Sequence, residues 1–143
     1  MNITEIVEQW LIKVDDDIFT AVHMFEDVYP KKLEICCFHC QQAVEKILKG
    51  YLIYNGIEPP KIHDLLKLCL MCIEKDAAFN VYLNDCKRIT LYVTRTCYPE
   101  GTGVTEYETK TAIKNTKAII NFTLERIPEL KDKYQIKEVS DDA

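Results

Sequence analysis

Glycine and proline interrupt this chain at only a few places, and that constrains its fold more than any other feature. Four glycines and five prolines occur in 143 residues. Most are grouped at Tyr29-Pro30, Asn55-Gly56, Pro59-Pro60, between Tyr98 and Gly103, and at Pro128. The long stretches between these breaks carry apolar residues at three- and four-residue spacing, the period of a helix with one buried face. Grouped breaks between long periodic segments favour an all-helical protein over a sheet.

Five helices follow. The first opens on Asn2-x-x-Glu5, a capping-box-like pattern, and lays Ile3, Val7, Trp10, Leu11, Val14, Ile18, Ala21, Val22 and Phe25 on one face. The second runs from about Leu33 to Tyr54, with Leu33, Cys37, Cys40, Val44, Ile47, Leu48 and Tyr51 inward. Asn55-Gly56 supplies a left-handed stop, and Pro59-Pro60 keeps the connection extended. A shorter third helix starts at His63 or Asp64 and ends near Lys75, its acid favourable at the positive end of the helix dipole.

The fourth helix is expected from about Phe79 to Cys97, burying Phe79, Tyr82, Leu83, Cys86, Ile89, Val93 and Cys97. The fifth runs from about Thr105 to Ile127, with Ala112, Ile113, Thr116, Ile119, Ile120, Thr123 and Leu124 inward. Long amphipathic helices on short connections pack as antiparallel neighbours, so the expected architecture is an all-α, up-and-down bundle over residues 1–130. The polar tail, 131–143, is expected to fray.

A chain of this length buries about two thirds of its unfolded surface, so no disulfide or metal is needed to hold the core. The net charge of −5 repels nucleic acid overall, and any RNA contact requires a local basic surface. No apolar run approaches the ~20 residues of a membrane span. Seven cysteines without an export signal point to reduced thiols in the cytoplasm. Cys37-x-x-Cys40 and Cys69-x-x-Cys72 have zinc-ligand spacing, but they fall inside helices rather than on turns, so they read as small buried hydrophobes. No cofactor or metal is expected.

Three surfaces could carry function. On the second helix Gln41 and Glu45 stand at the margin of the apolar arc, and His39, Gln42, Lys46 and Lys49 fall on the polar side. They read either as a solvated face with boundary hydrogen bonds, or as groups (Gln42, Glu45, Lys46, Lys49) that meet a nucleotide or a partner chain. On the fourth helix Asn84, Arg88, Leu91, Tyr92 and Arg95 lie opposite the buried arc, with Val81 nearby. Arginine, tyrosine and aliphatic residues mixed on an outward face suit an interface. On the first helix Ile12, Phe19 and His23 lie off the main stripe, and Asp17 sits at its edge, placed to pair with an arginine across the bundle.

The run Phe38-His39-Cys40-Gln41-Gln42-Ala43-Val44-Glu45-Lys46-Ile47-Leu48-Lys49, followed by His63-Asp64-Leu65-Leu66 and Tyr98-Pro99, resembles the HEPN family of small helical domains over roughly residues 5 to 127. The resemblance implies a helical bundle. It also implies one of three roles: a nucleotide-binding module, an RNA-cleaving toxin, or the partner of a minimal nucleotidyltransferase. Family ribonucleases place a histidine roughly four to six residues after an arginine, the histidine acting as acid or base while arginine steadies the phosphorane-like charge. Here Arg95 stands at about that place, yet Glu100, Gly101 and Thr102 follow at that spacing. The histidines are His23, His39 and His63. Cys97 stands where many relatives carry an arginine before Tyr-Pro.

The resulting expectation is a HEPN-type binding protein, forming a homodimer or pairing with a nucleotidyltransferase-type partner in a two-component, toxin–antitoxin-like system. Asp17, Gln42, Glu45, Lys46, Lys49, Arg88, Tyr92 and Arg95 are its candidate binding residues. The alternatives are a ribonuclease with a non-standard site at Arg95 and Tyr98, or a purely structural scaffold.

Overall fold

The computed structural model describes residues 1–96 and 103–137. They form α1 (Ile3–Glu26), α2 (Leu33–Tyr54), α3 (Leu65–Lys75), a 3-10 segment (Ala77–Tyr82), α4 (Leu83–Thr96), α5 (Glu106–Leu124) and the short α6 (Lys131–Tyr134). No strand occurs among the described residues. Cys97 and Tyr98, to which sequence reasoning gave roles, lie outside them.

Short polar side chains set the starts of α1, α3 and α5 by accepting from N–H groups that have no partner within the helix. Asn2 Oδ1 accepts from the Glu5 amide at 2.9 Å, and Asp64 Oδ1 accepts from the Leu66 and Lys67 amides. Thr105 and Glu108 close a full capping box at the start of α5. His63 therefore precedes α3 rather than beginning it. At the end of α2, Gly56 takes the left-handed conformation (φ +77°) that the Asn55-Gly56 pair anticipated.

The direction of each helix follows from its side-chain contacts. Asp17 reaches His39 and Lys46, while a side-chain carbon at Gly50 would meet Trp10, so α1 and α2 are antiparallel. Arg95 meets Glu108 and Asp85 meets Asn115, which makes α4 and α5 antiparallel too. Helix α3 breaks the alternation. His63 sits beside Gln41 and Glu45, and Cys72 Sγ lies 3.8 Å from the Leu48 carbonyl oxygen, so α3 runs in the same sense as α2. The extended connection 55–64, stiffened by Pro59-Pro60, makes this possible by returning along the bundle.

Helix α2 is consequently the central element, touching α1, α3, α4 and α5. From Ala43 to Leu52 it is buried on every side except at Lys46. Its contact with α5 uses small residues. Thr109, Thr116 and Thr123 recur at seven-residue spacing and are fully buried, and Cys37 Sγ lies 3.6 Å from Thr109 Oγ1. The Thr109 and Thr123 hydroxyls are satisfied within α5 by the carbonyls of Thr105 and Ile119. All seven residues expected inward on α5 are buried.

Four expectations need correction. Lys49, assigned to the polar side of α2, is buried and ion-paired. Tyr92, assigned to the outward face of α4, is also buried, because α5 packs along that flank. The segment from Phe79 to Tyr82 is 3-10, with α4 beginning at Leu83. Of the tail expected to fray, residues 131–137 dock: Tyr134 Oη donates to Glu8 at 2.7 Å, and Asn121 pairs with the Ile136 backbone in both directions.

Candidate functional site

Two carboxylates organise the interface between α1, α2 and the 55–64 connection. Asp17, on the α1 flank that faces α2, accepts from His39 Nδ1 at 2.9 Å and from Lys46 Nζ at 2.6 Å. Those partners are seven residues apart on α2 and so fall on one face. The partner expected for Asp17 was an arginine; α2 supplies a histidine and a lysine instead. Glu45, which directly precedes Lys46 on α2, accepts from Lys49 Nζ and from His63 Nδ1, both at 2.9 Å. Gln41 completes the corner by donating to the His63 carbonyl at 3.2 Å.

An ionised carboxylate only accepts hydrogen bonds, so each histidine carries a proton on Nδ1. In the neutral ring the Nε2 lone pair then points away from the carboxylate. For His63 that ring is largely in solvent, its side chain 79% exposed, whereas Glu45 beneath it is buried. Gln42 is half-buried on the same helix, at helical spacing from exposed Ile35 and Phe38. Five of the candidate residues, Asp17, Gln42, Glu45, Lys46 and Lys49, thus line one side of α2.

The other three stand on α4. Arg95 Nη2 donates to Glu108 Oε1 at 2.9 Å, and its guanidinium lies 5.3 Å from the centre of the Tyr92 ring. Its Nε is buried without a hydrogen-bond partner among the described residues. Arg88 is exposed and 3.7 Å from Asp85, which also accepts from Asn115 Nδ2. Leu91 and Val81 are exposed beside it. Among the described residues the α2 and α4 groups share no hydrogen-bond or ion-pair partner.

The hydrogen bond from the Thr105 backbone amide, followed by the Arg95 guanidinium, holds the Glu108 carboxyl below its usual range. A carboxyl depressed on folding contributes stability that is complete above its unfolded value, near 4.5, and is lost as pH falls through the lower folded value. Glu108→Gln is expected to flatten the fall of thermal stability below pH 5, and unchanged acid sensitivity in the variant would refute this assignment. Burial pushes two of the cysteine thiols the other way, Cys36 up to about 11 and Cys72 up to about 12. Such thiols stay protonated and unreactive at neutral pH. No cluster of three metal-ligating side chains exists among the described residues.

Sequence spacing did carry part of this. Glu45 and Lys49 are four apart, the separation of a helical ion pair. Nothing local announced that His63 would fold back onto Glu45, or that His39 would face Asp17.

No helix among the described residues is long and apolar enough to cross a membrane. No curated protein and no solved structure matches the chain. The family model described as the HEPN domain matches residues 7–127, from the first buried turn of α1 to the end of the bundle. A match over most of the chain, on an all-helical fold built around the Gln41–Lys49 segment, makes this protein a member of the HEPN domain family.

Proposed function

We propose that this HEPN domain is a binding module in nucleotide- or RNA-related chemistry, without arginine–histidine ribonuclease activity of its own, and that it works with a partner of the minimal nucleotidyltransferase type. The observation that carries this reading is the commitment of the histidines. His23 pairs with Asp27, His39 with Asp17 and His63 with Glu45, whereas Arg95 is held by Glu108 and Tyr92 on α4. Each histidine is thus paired with a carboxylate other than Glu108, and no histidine follows Arg95 at the family spacing, which supports this reading. The exposed Val81, Arg88 and Leu91 offer a mixed surface suited to a protein partner.

A second copy of the chain is the second reading. It is favoured by the outward face of α1, where Phe19 is 70% exposed and stacks on His23 at 6.0 Å, with Ile12 also exposed.

Affinity capture from the native host, read by mass spectrometry, tests the proposal. Wild type is expected to bring down a small nucleotidyltransferase. Arg88→Glu is expected to reduce recovery by about tenfold or more, the scale of reversing one interfacial charge. Arg88 suits this test because its loss leaves the Arg95–Glu108 pair and the α5 cap intact. Recovery of the chain alone would favour the homodimer. Cleavage of RNA by purified protein, abolished by Arg95→Ala at unchanged thermal stability, would overturn the non-nucleolytic reading.

A further inference from the structure

A groove of about 570 Å³ opens between the start of α1, the end of α2 and the 55–64 connection. Its size falls within the ~300–1,000 Å³ range of small-molecule sites. Ile3, Ile6, Trp10, Ile53, Ile57 and Pro60 make its walls apolar. The charged lining groups are Lys49, Lys61 and Glu58; Glu45, the partner of Lys49, is not among them, so of that ion pair only the lysine borders the groove. Lys49 decides the chemistry of a ligand. Its side chain is only 8% exposed, yet it lines the groove, and an ammonium has three N–H donors, of which Glu45 Oε2 takes one. A cation kept this dry gains most from an anionic group that displaces little water to reach it.

From this we infer that the groove binds a small organic acid, with a carboxylate on Lys49 and an alkyl or aryl body along Trp10 and the isoleucines. The walls argue against a nucleotide. A base needs donors and acceptors along its edges, and a polyphosphate carries several charges; two ammonium groups among aliphatic side chains match a single-headed anion better. The inference is independent of the proposed partner, whose surface is on α4.

The chain has one tryptophan, and it lines this groove, so Trp10 fluorescence reports occupancy directly. Titration with decanoate is expected to give a saturable change. Decyltrimethylammonium, with the same tail and the opposite charge, is expected to bind at least about tenfold more weakly, as the sign of the Coulomb interaction with Lys49 requires. Lys49→Met leaves Glu45 without its cation and threatens the fold, so the groove is tested at its rim. Ile57→Glu should weaken decanoate by about tenfold or more, and Ile57→Lys should preserve or tighten it. Equal binding of the two amphiphiles, absence of saturation, indifference to the charge at position 57, or a saturable response to ATP in place of decanoate would each overturn the assignment.

Discussion

Replacing Glu45 with alanine is expected to destabilise the protein by about 3–5 kcal/mol, the cost of leaving one member of a buried ion pair without its partner. On a domain of this size that corresponds to a fall in melting temperature on the order of 10 °C. The geometry makes the expectation specific. Glu45 and Lys49 are both buried on the central helix, and Glu45 also takes the His63 Nδ1 proton. Its removal strands an ammonium under the 55–64 connection and frees His63 from the corner that Gln41 helps to build. Glu45→Gln keeps an acceptor but not the charge, so it should fall between wild type and alanine. The double replacement Glu45→Leu/Lys49→Met, which removes both charges, should recover most of the loss, since apolar side chains of similar volume commonly replace buried ion pairs without penalty. Chemical denaturation of the four proteins tests this ranking. A loss below about 1 kcal/mol for Glu45→Ala would mean that Lys49 finds water through the groove, making the pair equivalent to a surface one.

The same pair marks where sequence reasoning stops. Helix existence, the Asn2 cap, the favourable acid at Asp64, the Gly56 stop and the inward face of α5 are all decided within a few residues, and all were legible. The position of Lys49 is not local. It is a polar residue on the polar side of its own helix, buried because a connection ten residues long folds back over it and the start of α1 lies alongside. Tyr92 failed for the related reason that α5 covers a flank which periodicity alone leaves open. The candidate site was half-legible in the same way. Gln42, Glu45, Lys46 and Lys49 could be grouped by spacing, but the pairing of Asp17 with His39 and Lys46 depends on the antiparallel register of α1 and α2, which no short window contains.

Phe79→Ala is expected to cost about 3–5 kcal/mol, as large core truncations of aromatic residues do. Phe79 is fully buried in the 3-10 segment, with its ring centre 4.8 Å from that of Tyr51 and 5.0 Å from that of Phe122. Arg126 lies over Phe122 at 3.6 Å and reaches Asp76 at 2.6 Å, and Asp76 in turn caps the 3-10 segment through the Ala78 amide. The aromatic cluster therefore fixes the joint between α3 and α4, and with it the position of the α4 face that carries Arg88. Truncation opens a cavity at that joint, whereas Phe79→Leu fills most of it and should cost clearly less. Because the joint lies between the elements rather than at their ends, the loss should extend along α4: hydrogen exchange is expected to speed up at the α4 amides as well as in the 3-10 segment, with α1 following only global unfolding. Exchange accelerated in the 3-10 segment alone would show that α4 is held by its contacts with α5 and α2, and that its outward face does not depend on the aromatic joint.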